Sequence, residues 1–335
     1  MGGDFAPRTV VDGAVLAARR LDVGVTLVGD ARALEQELAR HLDSAALDLT
    51  VVDAAECVGM SEAPMQALRR KPRASVKVAA ELVAAGEAAA LFSAGHTGAT
   101  VMASHAAFGM LPGIDRPALA ATLPARGAAV TLSGKSRAVV LLDSGANVEC
   151  RPQHLVQFAM MGAAFARTAL DVADPRVALL SIGEEAGKGN ELTREAHRLL
   201  QTAAVTFVGN IEAGELYSGS ADVVVCDGFT GNIALKVSEG LVETVEAMLR
   251  EELSQTLGTR LGWLLSRRAF RNFRRRVDYA EYGGAPLLGV AGITVVGHGR
   301  SSAKAVRSAI LMSARLAGAG FIDKLKMEAS ARQAS

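Results

Sequence analysis

One repeated alternation constrains the fold of this chain more than any other feature. Short, almost unbroken apolar runs end in Gly-rich polar turns, and helix-like stretches follow. The runs at 23–29, 49–54, 89–93, 118–123, 138–143, 177–182, 205–208, 223–226 and 293–296 have the length and Val/Leu/Ala content of strands buried on both faces. Helical periodicity fills 9–20, 31–42, 75–85, 97–109, 155–170, 190–202, 232–257 and 302–316. This order predicts an α/β sandwich with right-handed crossovers, a parallel sheet packed under Ala-rich helices. Without repeats, low-complexity tracts or long linkers, residues 1–335 read as a single α/β domain.

Composition and missing motifs then exclude several functions. A formal net charge of +1 gives no field for nucleic acid. Cys57, Cys150 and Cys226 lie far apart without CxxC spacing, which suits a reducing cytoplasm and neither a zinc site nor a disulfide framework. The histidines form no HExxH pattern, so no metal is expected. No apolar run reaches the roughly 20 residues that span a bilayer, and Met1-Gly2-Gly3-Asp4 has no signal-peptide pattern. Gly134-Lys135-Ser136 imitates the end of a P-loop, but the first glycine required falls on Ala129 and a strand follows instead of a helix. No GxGxxG follows the first strand, and no cofactor is expected.

Four turns carry chemistry: 93–98 (Ser-Ala-Gly-His-Thr-Gly), 143–147 (Asp-Ser-Gly-Ala-Asn), 183–190 (Gly-Glu-Glu-Ala-Gly-Lys-Gly-Asn) and 227–232 (Asp-Gly-Phe-Thr-Gly-Asn). Glycines let backbone N–H groups approach an anion, and a following helix N-terminus adds positive potential. Any one of these is equally an ordinary strand-to-helix turn. Together they predict one shared anion site at the carboxyl ends of the strands.

The ordered set of motifs resembles the PlsX-type phosphate acyltransferases. It comprises Met1-Gly2-Gly3-Asp4 with Pro7, Gly113-Ile114-Asp115-Arg116-Pro117-Ala118, the 143–147 turn and His154-Leu155-Val156-Gln157. It continues with Lys188-Gly189-Asn190-Glu191-Leu192, the 227–232 turn and Tyr282-Gly283-Gly284-Ala285-Pro286. The resemblance runs from residue 1 to about 316 and implies a Rossmann-like α/β/α sandwich related to phosphotransacetylases and isocitrate/isopropylmalate dehydrogenase-like folds. It also implies a homodimer and a reaction in which a long-chain fatty acyl group passes from acyl carrier protein to inorganic phosphate. The acyl phosphate would supply phospholipid synthesis through a membrane-bound glycerol-3-phosphate acyltransferase. Three departures stand out: the family's strand before Met-Gly-Gly-Asp does not precede Met1, His96 replaces an Asn, and 131–136 looks like an extra turn. For the first, either the start is misassigned or the sheet lacks a strand; the former is expected.

Phosphate attacking a thioester needs its charge held, the oxyanion stabilised and water excluded; it needs no protein nucleophile. The catalytic candidates are Lys188, for phosphate or oxyanion, with Asn232 and Asn190, Asn232 donating its amide N–H to the thioester oxygen. The alternatives are a solvated loop lysine and two helix N-caps. Ser93, Gly95, His96, Thr97, Gly98, Asn147, Gly189, Thr230, Gly231 and His298 are the phosphate- and substrate-binding candidates. His298 is equally a satisfied turn residue, Asp115 and Arg116 are a possible structural pair, and Cys226 in its apolar run reads as a small buried hydrophobe.

Residues 236–277 are expected to form an amphipathic helical hairpin. Between 254 and 277 stand Arg260, Arg267, Arg268, Arg271, Arg274, Arg275 and Arg276, without an acid, interleaved with Leu257, Leu261, Trp263, Leu264, Leu265, Phe270 and Phe273. Such a segment reads as a contact with an anionic membrane surface, centred on Trp263, Leu264, Leu265, Arg267, Arg268 and Arg271, making the protein cytoplasmic but peripherally membrane-associated. A core-packed helix pair with a solvated basic face is the alternative. Two other functions remain open: a short-chain phosphotransacetylase using coenzyme A thioesters, and a non-catalytic acyl-carrier or lipid-surface binding protein.

Overall fold

The computed structural model describes residues 1–126, 138–256, 258–259, 262–268, 270 and 282–333. The expected extra turn at 131–136, the Gly134-Lys135-Ser136 stretch, Leu257, Arg260, Leu261, Arg271, Phe273 and Arg274–276 lie outside the described residues.

The strands are β1 (Val25–Gly29), β2 (Leu49–Asp53), β3 (Ala90–Ser93), β4 (Ala118–Pro124), β5 (Ala138–Leu142), β6 (Arg176–Leu180), β7 (Thr206–Ile211), β8 (Val223–Val225), β9 (Ala285–Leu288) and β10 (Ile293–Val296). The helices are α1 (Arg8–Ala18), α2 (Ala31–Leu38), α3 (Pro64–Arg70), α4 (Ser75–Ala84), α5 (Thr97–Phe108), α6 (Pro152–Leu170), α7 (Glu191–Leu200) and α8 (Gly228–Ser254). A helical run over 262–268 (α9) precedes α10 (Ala303–Gly318) and α11 (Phe321–Gln333).

Eight strands form one sheet in the order β3-β10-β9-β4-β5-β8-β6-β7. The all-parallel expectation fails at its centre, where β9 pairs antiparallel with β10 and β4, and β4 pairs antiparallel with β5. The short β9 escaped sequence reading because Pro286 lies within it, and proline demotes a strand pattern. Helices α3 and α11, likewise unforeseen, are short or polar, so their periodicity is weak. β7 runs further than its apolar stretch, past an irregularity where Phe207 and Gly209 face consecutive residues of β6.

Helices cover both faces, as an α/β/α sandwich requires. On one face Leu155, Phe158, Met161 and Phe165 of α6 pack on Val140, Leu142, Val177 and Val223. On the other, Val139, Leu141, Ala178 and Val224 pack with Cys226 and with Ala234 and Leu235 of α8. Alternate residues of β5 thus serve opposite layers, the strand period of two read directly in burial.

β1 and β2 pair only with each other among the described strands. A cavity of ≈ 380 Å³, lined by Val25, Leu27, Leu91 and Phe92 among others, separates β1 from β3. α4 touches both strands across it. Met1 sits at its far end, packed on Gly29, and burial pushes the pKa of the Met1 ammonium down. The sheet is therefore interrupted between β1 and β3.

Among the described residues no single helix is long and apolar enough to cross a bilayer. α8 buries only Gly228 and Gly231, so most of its length, about 40 Å at 1.5 Å per residue, stands away from the body. Exposed Phe229, Ile233, Val237, Leu241, Val245 and Met248 mark an apolar stripe along it.

Candidate active site

Strand direction sorts the four Gly-rich turns into two groups. β3, β10 and β4 point one way; β9, β5, β8, β6 and β7 point the other. The turns after β5, β6 and β8 share one end of the sheet on adjacent strands, and the turn after β3 leaves the opposite end. The single four-turn site expected at one sheet end is thereby corrected: the antiparallel centre sets three of the eight strands against the other five.

Between the turns after β5 and β8 the contacts are direct. Asp143 closes β5 with a fully buried carboxylate. Its Oδ1 accepts the N–H groups of Leu119 (2.9 Å), Gly145 (3.1 Å) and Ala146 (3.0 Å). Its Oδ2 accepts those of Ala146 (3.1 Å) and Asn147 (2.7 Å), and the Asn147 side-chain amide at 2.8 Å. Burial raises the Asp143 pKa, while these N–H bonds act the other way. The amides of 145–147 point inward at Asp143, so this turn does not cradle an anion as expected. The Asn147 amide is spent too, because it also donates to Pro117 O at 2.6 Å.

The turn after β8 is capped by Asp227, whose carboxylate accepts Thr230 N (2.9 Å) and Thr230 Oγ1 (2.8 Å). α8 therefore starts at Gly228, and Asn232 is not its N-cap. Asn232 stands exposed in the second turn, with its side chain against Gly145. Gly228 and Gly231 are required by close approach: Gly228 N donates to Asn147 O at 2.7 Å, and a Cβ on Gly231 would collide with Asp143 O.

After β6, Lys188 is exposed and its stem lies over Gly183. Gly189 takes φ +99°, which a side chain rarely tolerates. Asn190 does cap α7: its Oδ1 accepts Thr193 N at 2.9 Å, which leaves its amide N–H groups for other partners. Two helix N-termini, an exposed ammonium and an exposed carboxamide thus share one sheet end, an arrangement suited to a phosphate beside a polarised carbonyl.

The other group contains Ser93, Gly95, His96, Thr97, Gly98 and His298. Ser93 Oγ accepts Gly95 N (3.3 Å) and Thr100 Oγ1 (3.0 Å); His96 Nδ1 caps α5 by accepting Ala99 N at 3.4 Å. His96 thus does the capping work of an asparagine. His298 Nδ1 accepts Arg300 N at 3.1 Å, the turn role. Gly2, Gly3 and Asp4 close against Ala94, Gly95 and Gly299. Asp115 is held by Gln157, which receives its N–H (3.0 Å) and donates to its Oδ2 (3.0 Å), not by Arg116.

Neither Cys226 nor Cys150 is poised as a nucleophile. Burial raises the Cys226 thiol well above its usual pKa and raises Cys150 to about 11. Asp143 and Asp227, which hold these turns in place, were underused by sequence reasoning. The available signal was a lone acid ending each apolar run immediately before the turn.

The mixed sheet between two helical layers, with helix N-termini converging at one strand end, defines a protein of phosphotransacetylase architecture. The phosphotransacetylase of Streptococcus pyogenes superposes with a TM-score of 0.60 at 20% identity, covering 91% of each chain. The EutD phosphotransacetylase of Staphylococcus aureus gives 0.59 at 17% identity, covering 93% of this chain and 91% of that one. A family model described as fatty acid synthesis protein matches residues 1–324. The phosphate acyltransferase of Geobacter sulfurreducens is 48% identical over 310 residues, 92% of this chain and 87% of its own. That of Nitratidesulfovibrio vulgaris (strain DP4) is 50% identical over 316 residues, 94% and 88%. The chain belongs to the phosphate acyltransferase family and is an acyltransferase whose acceptor is phosphate.

Proposed function

We propose that the chain moves a long-chain fatty acyl group from acyl carrier protein to inorganic phosphate, giving acyl phosphate for phosphatidic acid synthesis. The observation that carries the catalytic reading is Asn232. It stands free of capping on the second turn of α8, beside the exposed Lys188 turn of the neighbouring strand. Lys188 holds phosphate, and Asn232 Nδ2 donates to the thioester oxygen. A phosphate oxygen attacks the carbonyl carbon, the C–S bond breaks, and the thiol leaves with the proton that phosphate gives up. No acyl-enzyme is needed.

The acyl-carrier donor rests on α8 and α9. Trp263, Leu264 and Leu265 are 40%, 60% and 79% exposed, with Arg267 and Arg268 exposed beside them. Trp263 lies 4.6 Å from Phe270, ring centroid to centroid. This tip suits an anionic leaflet, where a membrane-bound glycerol-3-phosphate acyltransferase would take the product, and it supports a peripheral position at the cytoplasmic membrane face. The apolar stripe of α8 suits the same helix of a second copy, making a homodimer.

Phosphate-dependent thiol release tests the reading, with acyl carrier protein and coenzyme A thioesters side by side. Preference for the long-chain carrier thioester is expected; preference for short-chain coenzyme A esters would replace the donor. Lys188→Ala and Asn232→Ala should each cost about 10²-fold in rate, the scale of one lost oxyanion donor. Activity within about threefold of the unsubstituted enzyme in both would overturn the site.

A further inference from the structure

We propose that Asp143 is a positioning residue for acyl transfer, its buried carboxylate holding the 145–147 turn as the floor that fixes Asn232. This rests on the reading that Asn232 touches the thioester oxygen.

Asp143 does not face the open end of the site. It accepts six hydrogen bonds at 2.7–3.1 Å, all from N–H groups: five from the four backbone amides of Leu119, Gly145, Ala146 (shared by both oxygens) and Asn147, and one from the Asn147 side chain. Every one of these groups belongs to β4 or to the turn itself. The network therefore ties the turn to the sheet.

From the turn, two routes lead to Asn232. Asn147 O accepts the N–H of Gly228, the first residue of α8, and Gly231 rests directly on Asp143 O. Gly145 also meets the Asn232 side chain, whose Cβ and Oδ1 would both lie 3.6 Å from a Cβ placed on that glycine. Asp143 N in turn donates to Cys226 O at 3.1 Å, and Cys226 N to Leu142 O at 2.8 Å, so the strand leading into α8 is registered on the same residue. An Asn at 143 keeps the size but offers an NH2 to a nest of donors, which loosens the turn.

The test is a double-substitution cycle on the full chain, read as kcat and KM in phosphate-dependent thiol release. Asp143→Asn should lower kcat about 10-fold or more with KM for phosphate nearly unchanged, because a displaced catalytic amide costs orientation. In an Asn232→Ala background the same change should cost less than about twofold, since nothing remains to be positioned. Equal losses in both backgrounds would overturn the proposal and leave Asn232 as a catalytic group. Full activity of Asn232→Ala alone would overturn both. Should Asp143→Asn fail to fold by circular dichroism, Asn147→Ala, which removes only the two side-chain bonds, carries the same cycle with the same outcomes.

Discussion

Gly228→Ala offers the sharpest check on how α8 is seated. A Cβ at this position would stand 2.5 Å from Asn147 O, 2.7 Å from Asp143 Oδ2 and 2.9 Å from Asn147 N. An ordinary carbon–oxygen approach is about 3.3 Å, so the start of α8 must back away by roughly 0.8 Å. None of the three atoms belongs to a flexible side-chain end: two are backbone and the third is locked by N–H bonds. The 2.7 Å bond from Gly228 N to Asn147 O stretches with the same movement. Overpacking of this kind costs about 1–3 kcal/mol, against which the better helix propensity of alanine returns about 1 kcal/mol. Displacement matters more than stability. A catalytic group moved by about 1 Å costs on the order of 10²-fold, so a kcat loss of roughly 30- to 100-fold is expected. Gly214→Ala, where nothing lies within 4 Å, is the matched control and should leave kcat and Tm alone. The assay is thiol release at saturating substrates, with thermal denaturation of both variants. Gly228→Ala with kcat within about threefold of the unsubstituted enzyme and an unchanged Tm would refute the close seating of α8 on the 143–147 turn.

Cys226→Ser and Cys150→Ser should retain turnover, since neither thiol is ionised near neutral pH; a mass-spectrometric acyl adduct on either would refute direct attack. Replacing Trp263, Leu264 and Leu265 by Ser should release the protein from anionic vesicles in co-sedimentation, because burying them contributes several kcal/mol at about 25 cal/mol per Å². Undiminished vesicle binding would remove the tip from the membrane, and loss of dimer would place it at a subunit contact. His154 is buried, its Nδ1 accepts Arg151 N at 3.1 Å, and burial lowers its pKa. The unfolded chain therefore takes up a proton near pH 6.5 before the folded one does, and stability should fall as pH drops below about 6.5. His154→Asn should flatten that slope in pH-dependent denaturation; an unchanged slope would assign it elsewhere.

Much of the candidate site was legible before any fold was known. Lys188 and Asn232 could be singled out because glycines, a cation and amides beside a predicted helix start are a chemical pattern that survives without coordinates. Their local roles were not. The sequence placed Asn232 at a helix start, whereas Asp227 and Thr230 take the cap and set Asn232 in the second turn. It offered the 143–147 turn as an anion cradle, whereas a buried acid four residues from Asn147 turns those amides inward. A hydrogen bond between near neighbours depends on backbone angles that composition does not encode.

Most of the strand and helix order, the buried character of β5 and β8 and the burial of Cys226 were determined by the sequence alone. Each depends on residue type and on spacing within one element. Strand direction and adjacency were decided only by the tertiary structure. The antiparallel β9, with its Pro286, enters between β10 and β4, which run the same way, and the antiparallel β4–β5 pairing parts the 93–98 turn from the other three. Pairing is a contest among all strands for neighbours that bury both faces, and its energies arise between segments far apart in the chain.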